Sequence, residues 1–591
     1  MPESSGARSG VLSAPRGVLL ASLLVLTGCA GLAPVVGAQL PDAPAPSVAA
    51  SSVAEAYYHY ALAQIHARAG HLQDAIAEIR EAIKLDPNTP GLWTQLALWL
   101  SQAEHPDEAL EAARKAVEVG PEQIAAHLTL AELYRGQKRY AEAQAVLEKL
   151  VAISPDEPKP YLTLARHYTE QKALDKAQAT LLRLLQVRPD NAQAYFLLGR
   201  LAIETEAWEE AIVRLRRAVE LEPDNHSAWL ALGYVYESRD QPAEAIRVYR
   251  EALEVNADDP VLLERLGDVL IRGGEFAEAE QRIQALADLV PRNPRIWIKL
   301  GAVYHERKLY DKAALAFRRA IELDPSKLRA RFYLASTYMD AGKDPEAREE
   351  LEGILKTDPD SIDARVQLAF LHGRAKRYSE AIELLREAVN LEPRRPELFL
   401  YLGSAYHRDE QYDQAVAALQ EGLSIDDKHK DLYFQLGVVY EKQKRFEDAI
   451  QAFRRVIELD PEHAEAYNYI GYLYAERGIN LAEAVELITK ALEIEPENGY
   501  FIDSLGWAYY QQGRYEEALL KLKRAVERAK DDSVIFDHLG DAYLMNGRVE
   551  EALGAWEKSL QLDPANETVE KKIQENRAKL QKVQGGRSKY E

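Results

Sequence analysis

Cysteine is nearly absent from the sequence, since the 591 residues include only Cys29. A single cysteine excludes a disulfide within the chain and a zinc site of clustered cysteines, and it leaves no thiol nucleophile elsewhere. Basic residues are in the minority, because 73 Lys and Arg face 95 Asp and Glu and give a net charge of -22. They are also spread through the chain. This argues against a nucleic-acid surface, which needs a basic face.

Familiar catalytic motifs are missing as well. The sequence contains no phosphate-binding loop, no Rossmann glycine pattern and no nucleophile elbow. Its 13 histidines are scattered, and no two of them have a metal-ligand spacing on one helix face; His59 and His66 are seven residues apart, which is too far. We therefore predict a protein that is not an enzyme, with no cofactor and no metal site.

A repeated pattern of apolar residues fills most of the sequence. Within residues 293–325, four residues are spaced to share one face of a helix: Trp297, Leu300, Gly301 and Tyr304. Three residues on one face of a second helix follow: Ala313, Phe317 and Ala320. The pattern recurs in steps of 34 residues, and we count 15 copies over residues 56–566, of which one, residues 464–498, has 35. Two helices this short cannot bury an apolar face alone, so each copy needs its neighbours.

This period and pattern resemble the tetratricopeptide repeat family. The resemblance implies an all-α fold, namely a right-handed superhelical solenoid of about 15 helix-turn-helix repeats with a concave groove lined by the first helices. Residues 567–584 are polar with a helical pattern, so we predict that they form a C-terminal capping helix, with residues 585–591 as a tail. The family serves many pathways, so the resemblance specifies the fold far better than the function.

The N-terminus predicts a lipoprotein signal peptide over residues 1–28. Residues 17–26 are apolar, long enough for a signal-peptide core and too short to span a bilayer. The following Leu26-Thr27-Gly28-Cys29 resembles the lipobox of bacterial lipoproteins, which implies that Cys29 is acylated. An ordinary cleavage site at Val36-Gly37-Ala38 is the alternative.

The segment after the cysteine predicts a flexible tether. Residues 29–55 are rich in Ala and Pro and bury little, so they would let the repeats stand off a membrane. By resemblance to lipoproteins of Gram-negative bacteria, Ala30 rather than Asp after the cysteine implies an outer-membrane protein that faces the periplasm.

The central groove is predicted to be basic. Four residues on the groove side form a positive run in an acidic protein: Arg265, Arg295, Lys299 and Arg329. By resemblance, Arg295 and Lys299 match the basic pair of the family's carboxylate clamp, but its Asn positions do not match, so the full clamp is absent. We predict a site for an acidic partner here, while a groove neutralised by Glu264 and Asp268 is the open alternative.

The last three copies are predicted to hold a second binding site. Their groove positions are Asn468, Tyr469, Tyr472, Tyr500, Asp503, Trp507, Asp537, His538 and Asp541. Trp507 lies outside the packing stripe of its helix, so we predict an exposed aromatic anchor for a bound chain, ringed by carboxylates. The alternative is that these residues pack on the end helix or on the neighbouring hairpin.

Together these features predict a non-enzymatic scaffold or adaptor, lipid-anchored in the bacterial cell envelope, that binds a protein or peptide in its groove. It would touch the membrane through the lipid alone and bind no nucleic acid. By resemblance, such proteins serve periplasmic proteases, among them carboxyl-terminal processing proteases, or cell-wall and exopolysaccharide machinery. Two alternatives are a carbohydrate-binding groove and a regulatory array of the kind found in O-linked N-acetylglucosamine transferases.

Overall fold

The computed structural model describes residues 48–587, which form 31 α-helices joined by short turns, and gives side chains for residues 52–580. No strand occurs in this range, so the predicted all-α class is confirmed. Thirty of the helices pair into hairpins and the last one follows them, as the repeat count predicts. Between residues 48 and 587, no helix is both long enough and apolar enough to cross a membrane. Cys29 and the predicted signal peptide lie outside the described residues.

The first compact unit ends at Asp190. Its helices are α1 (Val48–Arg68), α2 (Leu72–Leu85), α3 (Pro90–Gln102), α4 (Pro106–Val119), α5 (Ile124–Gly136), α6 (Tyr140–Ile153), α7 (Pro158–Glu170) and α8 (Leu174–Val187). Helix α1 begins inside the segment predicted as a tether, because neither proline nor glycine interrupts the chain between Pro46 and Gly70.

The second compact unit begins at Asn191. Its first helices are α9 (Ala192–Glu204), α10 (Trp208–Leu221), α11 (His226–Ser238), α12 (Pro242–Val255), α13 (Pro260–Arg272), α14 (Phe276–Leu289), α15 (Pro294–Glu306), α16 (Tyr310–Leu323), α17 (Leu328–Asp340), α18 (Asp344–Thr357), α19 (Ile362–Arg374) and α20 (Tyr378–Leu391). Then follow α21 (Pro396–Arg408), α22 (Tyr412–Ile425), α23 (Lys430–Lys442), α24 (Phe446–Leu459), α25 (Ala464–Arg477), α26 (Leu481–Ile494), α27 (Gly499–Gln511), α28 (Tyr515–Arg528), α29 (Ser533–Met545), α30 (Val549–Leu562) and α31 (Glu567–Arg587). The 34-residue period passes through the division at residue 190 unchanged, so the sequence predicted one array.

The turn inside each hairpin depends on a residue in the left-handed backbone region. Between α15 and α16 this residue is Lys308, with φ 58°. Its amide donates to the carbonyl oxygen of His305 at 2.8 Å, and the amide of Leu309 donates to that of Tyr304 at 2.9 Å, which satisfies carbonyls at the end of α15. In the 35-residue copy, α25 has 14 residues where the other first helices from α3 to α29 have 13, and the turn that follows holds two left-handed residues, Gly478 (φ 66°) and Asn480 (φ 47°).

Close approach of the two helices in a hairpin requires small residues. A Cβ atom added at Gly301 of α15 would lie 2.7 Å from the ring of Phe317 on α16. Ala313 on α16 is 0 % exposed and Phe317 is 1 % exposed, so the ring fills the space that the small residues leave. The α15–α16 hairpin therefore buries its apolar stripe between its own two helices and against the adjacent hairpins of the second unit.

Ala313→Trp should destabilise this hairpin by about 1–3 kcal/mol, because a large side chain must displace packed neighbours on both helices. Hydrogen exchange should accelerate mainly in α15, α16 and the adjacent hairpins, since each repeat contacts its neighbours alone. Uniform loss of protection throughout the second unit would contradict this nearest-neighbour view of stability.

Candidate functional site

The predicted terminal site is a connected cluster whose centre is a buried ion pair. Nδ1 of His538 on α29 lies 3.0 Å and 3.1 Å from the two carboxylate oxygens of Asp503 on α27. Both side chains are buried. Burial opposes protonation of the imidazole, but the charge and hydrogen bond of Asp503, with the charges of Asp537 and Asp541, outweigh it and raise the pKa of His538.

Trp507 is packed rather than exposed, which corrects the prediction of a free aromatic anchor. Its ring stacks on Tyr510 with centroids 4.7 Å apart and on His538 with centroids 4.1 Å apart. The side chain is half-buried. With both faces covered by its own helix and the next repeat, Trp507 has no free face for a bound peptide or sugar ring. The carbohydrate-binding alternative loses its anchor here.

The carboxylates predicted to ring Trp507 are neutralised by the end helix. Nζ of Lys572 on α31 lies 2.7 Å from Asp537 and 2.8 Å from Asp541. Burial opposes the charge of the lysine, yet hydrogen bonds to both carboxylates raise the pKa of Lys572. Indole Nε1 of Trp556 also donates to Asp541 at 3.2 Å. The alternative of packing on the end helix therefore describes these residues better than a partner-binding site.

The other four residues of the terminal prediction are dispersed. Tyr469 stacks on Phe453, with ring centroids 4.9 Å apart, and so belongs to the core between hairpins. The amide oxygen of Asn468 is buried without a hydrogen-bond partner among the described residues. Burial raises the pKa of Tyr472. Tyr500 alone is a large exposed side chain, at 58 %.

The central basic run is also partly neutralised. Nζ of Lys299 lies 2.7 Å from Glu264 and 2.6 Å from Asp268. These are the two residues that the alternative of a neutralised groove named. Nε of Arg329 donates to the hydroxyl of Tyr333 on its own helix at 2.8 Å.

The remaining two basic residues, Arg265 and Arg295, are exposed. No ion pair within residues 52–580 involves either of them. Arg329 is also exposed and forms no ion pair in that range, because its hydroxyl partner is neutral. Three of the four predicted cations therefore have no carboxylate partner in the described structure, and only Lys299 is neutralised.

An apolar recess lies elsewhere, between α19, α21 and α23, and we call it the central apolar groove. Its volume is about 480 Å³ and its lining includes Phe370, Gly373, Tyr401, Ser404, Arg408 and Phe434. The ring of Phe370 is 51 % exposed and meets Tyr401 edge to face, with centroids 5.7 Å apart. A recess of this size and lining can hold an apolar side chain from a partner.

The groove exists because a side chain is missing at one position of the period. One repeat before Gly373 the equivalent residue is Met339, and one repeat after it is His407. A Cβ atom added at Gly373 would meet nothing within 4 Å, so the glycine faces open space. The positions equivalent to Phe370 in the two adjacent repeats also hold small residues, Ser336 and Ser404.

Two arginines border the groove. Arg374 pairs with Asp344 at 3.2 Å. Arg408 is exposed, and no ion pair of Arg408 occurs within residues 52–580. In a protein of net charge -22, this border favours a partner that carries a carboxylate beside its apolar side chain.

Sequence reasoning missed this groove, although a signal was present. Phe370 lies outside the packing stripe of its helix, as Trp507 does, but only Phe370 has small residues at the equivalent positions of both adjacent repeats. Motifs of functional side chains do not indicate this groove, because it is defined by the side chain that Gly373 lacks.

Family models of repeats match nearly all of the hairpins. Models described as tetratricopeptide repeat match residues 56–89, 100–159, 134–201, 226–269, 264–327 and 504–567, and one described as TPR repeat matches residues 199–240. The model of the cilia and flagella-associated protein 70 C-terminal domain matches residues 325–534. Between residues 56 and 567, these matches leave only residues 90–99 uncovered.

Solved structures similar to the chain include yeast Tom70, with a TM-score of 0.35 and 17 % identity over 88 % of this chain and 99 % of that one. The Cut9–Hcn1 hetero-tetramer of APC/C gives a TM-score of 0.36 and 14 % identity, covering 82 % and 95 %. MamA gives a TM-score of 0.26 and 29 % identity, covering 28 % and 95 %. No curated protein sequence matches the chain significantly.

Proposed function

This chain is a tetratricopeptide repeat protein, and we propose that it is a non-catalytic scaffold that binds a segment of another protein in the central apolar groove. The observation that carries the proposal is the exposed ring of Phe370 beside the open space at Gly373. An apolar recess of this kind costs free energy in water unless something covers it. Phe370 and Tyr401 would be the anchors that a partner side chain contacts.

The partner segment should combine an apolar side chain with a carboxylate. The recess of about 480 Å³ suits an aliphatic or aromatic side chain. The guanidinium of Arg408 is positioned to pair with a neighbouring Asp, Glu or chain-terminal carboxylate, because Arg binds carboxylates through two parallel hydrogen bonds. Asp431 also lines the recess and would disfavour a second carboxylate beside it.

We further propose that the scaffold is anchored in the bacterial cell envelope by a lipid on Cys29 and faces the periplasm. The apolar residues 17–26 followed by Leu26-Thr27-Gly28-Cys29 support this proposal. The partners to consider first are periplasmic proteases and the enzymes of cell-wall or exopolysaccharide assembly. A stable anchor would place the groove at the membrane surface without a membrane-spanning helix.

If Cys29 carries the lipid, metabolic labelling with palmitate should label the wild-type protein, which should partition with membranes. Cys29→Ser should abolish both the label and the partitioning, because the thiol is the acceptor. Equal labelling of the two forms would end the lipoprotein proposal.

The scaffold proposal is tested by capture from envelope extracts with the full chain carrying Cys29→Ser. The wild-type groove should retain one protein in stoichiometric amount. Phe370→Ser should lose this protein, whereas Leu315→Ser, which changes a 64 % exposed residue of α16, should keep it. Retention of the same protein by both variants would show that the central apolar groove is not the binding site.

A further inference from the structure

Three metal-ligand side chains meet at the turn of the first hairpin. His66 lies in the last turn of α1, His71 occupies the N-cap position of α2, and Asp74 lies in the first turn of α2. Their nitrogen and carboxylate oxygen atoms all lie within 4.8 Å of one another. The turn holds the two histidines together, because the amide of His71 donates to the carbonyl oxygen of His66 at 2.9 Å. His66 is half-buried and the other two are exposed.

The same three positions form a closed cluster in other repeats. There a tyrosine, an arginine and an acidic residue stand five and three residues apart, as His66, His71 and Asp74 do. The sets are Tyr134, Arg139 and Glu142; Tyr440, Arg445 and Asp448; Tyr509, Arg514 and Glu517; and Tyr543, Arg548 and Glu551. In each set the guanidinium lies over the tyrosine ring, 4.1–5.0 Å from its centroid, and pairs with the acid.

The first hairpin keeps this geometry but lacks the internal cation. Where those four repeats have a tyrosine and an arginine, it has two imidazoles, so the carboxylate of Asp74 lies near ring nitrogens instead of a guanidinium. Neutral imidazole nitrogens and a carboxylate oxygen are donors to metal ions. We propose that His66, His71 and Asp74 bind a divalent first-row transition metal ion, and that zinc is the ion they accept.

The ligand set favours zinc over calcium or magnesium. Two imidazoles with one carboxylate suit zinc and its neighbours, whereas calcium and magnesium prefer oxygen ligands alone. Donor atoms around tetrahedral zinc are about 3.3 Å apart. The three donor atoms here lie within 4.8 Å of one another, so small side-chain rotations would bring them to zinc-binding distances. Three protein ligands leave one coordination position for water.

Such an ion would fasten α1 to α2 in the hairpin nearest the N-terminus. A hydrogen bond already links α1 to α2, between Nδ1 of His59 and a carboxylate oxygen of Glu78 at 2.6 Å. The metal ion would add a link between the two helices at the turn. Because a ligand that binds only the folded state stabilises it, zinc should slow the opening of α1 and α2 specifically.

Zinc titration of the chelator-treated, tag-free full chain tests this site, with Cys29→Ser in every form so that no thiol can ligate the metal. Calorimetry should show one zinc ion per chain. The double variant His66→Tyr with His71→Arg should abolish that binding while it stays folded, because it recreates the cluster found in the four repeats named above. Asp74→Asn, a change at an exposed residue, should weaken binding at least about tenfold.

His105→Gln is the matched control. His105 caps α4 at the position equivalent to His71, but Leu100 takes the place of His66 there. This variant should bind zinc like the wild type. Hydrogen exchange should slow in α1 and α2 when zinc is added to the wild type, and not in the double variant. No saturable binding, or equal binding by the wild type and the double variant, would overturn the proposal.

Discussion

Asp503→Ala is expected to destabilise the last hairpins by about 3–5 kcal/mol, because it leaves His538 buried without its partner. The carboxylate lies 3.0 Å from Nδ1 of His538, and both side chains are less than a tenth exposed. Hydrogen exchange should therefore accelerate strongly in helices α27–α30. Local exchange is the right measurement, because repeats can open separately.

The pH dependence of this effect has a definite sign. The folded state raises the pKa of His538 above the ordinary 6.5, so the pair's stabilisation is fully present below that pH and is lost as pH rises through the folded pKa. Protection of α27–α30 should fall over that range in the wild type, and the fall should be smaller in Asp503→Ala. Asp531→Ala, at an exposed residue of the turn before α29, should change neither the protection of α27–α30 nor its pH dependence. An Asp503→Ala protein as protected as the Asp531→Ala protein would show that the pair contributes little.

Gly373→Met should weaken partner binding about 100-fold, or about 2.8 kcal/mol, because the new side chain fills the central apolar groove. Methionine is the residue at the equivalent position one repeat earlier, and the space at Gly373 is open, so the fold should accept it. Helix propensity predicts that stability rises by up to about 1 kcal/mol. Calorimetry with the captured partner and thermal unfolding of the free chain measure the two effects.

Gly554→Met is the control for that experiment. Gly554 is also a helical glycine with nothing within 4 Å of an added Cβ atom. It lies on α30, the second helix of its hairpin, and outside the central apolar groove. The Gly554→Met protein should gain as much stability as the Gly373→Met protein and should bind the partner with wild-type affinity. Equal loss of binding in both variants would mean that the effect does not arise in the groove.

Periodicity made the fold predictable from the sequence. The positions of Gly301, Ala313 and Phe317 specify how two helices of a hairpin meet, and repetition every 34 residues carries that geometry along the chain. Local spacing decides these features, so no tertiary information was needed.

Exposure and pairing were harder to predict, because they depend on residues outside the period. Asp503 and Asp537 are 34 residues apart, as are Trp507 and Asp541, so the period places the members of each pair in adjacent repeats. The period does not predict that Tyr510 stacks on Trp507 or that Lys572 of the end helix pairs with Asp537. Both contacts convert predicted binding residues into packed ones. The cluster at His66 was missed for a related reason, since its ligands span a turn and not one helix face.

Site-specific photocrosslinking tests whether a partner protein occupies the central apolar groove. A photoreactive phenylalanine derivative in place of Tyr401 should crosslink the full chain to one protein in envelope preparations. The same group in place of Leu315, exposed on α16, should give no such product. Crosslinking of that protein from position 315 and not from position 401 would contradict the account.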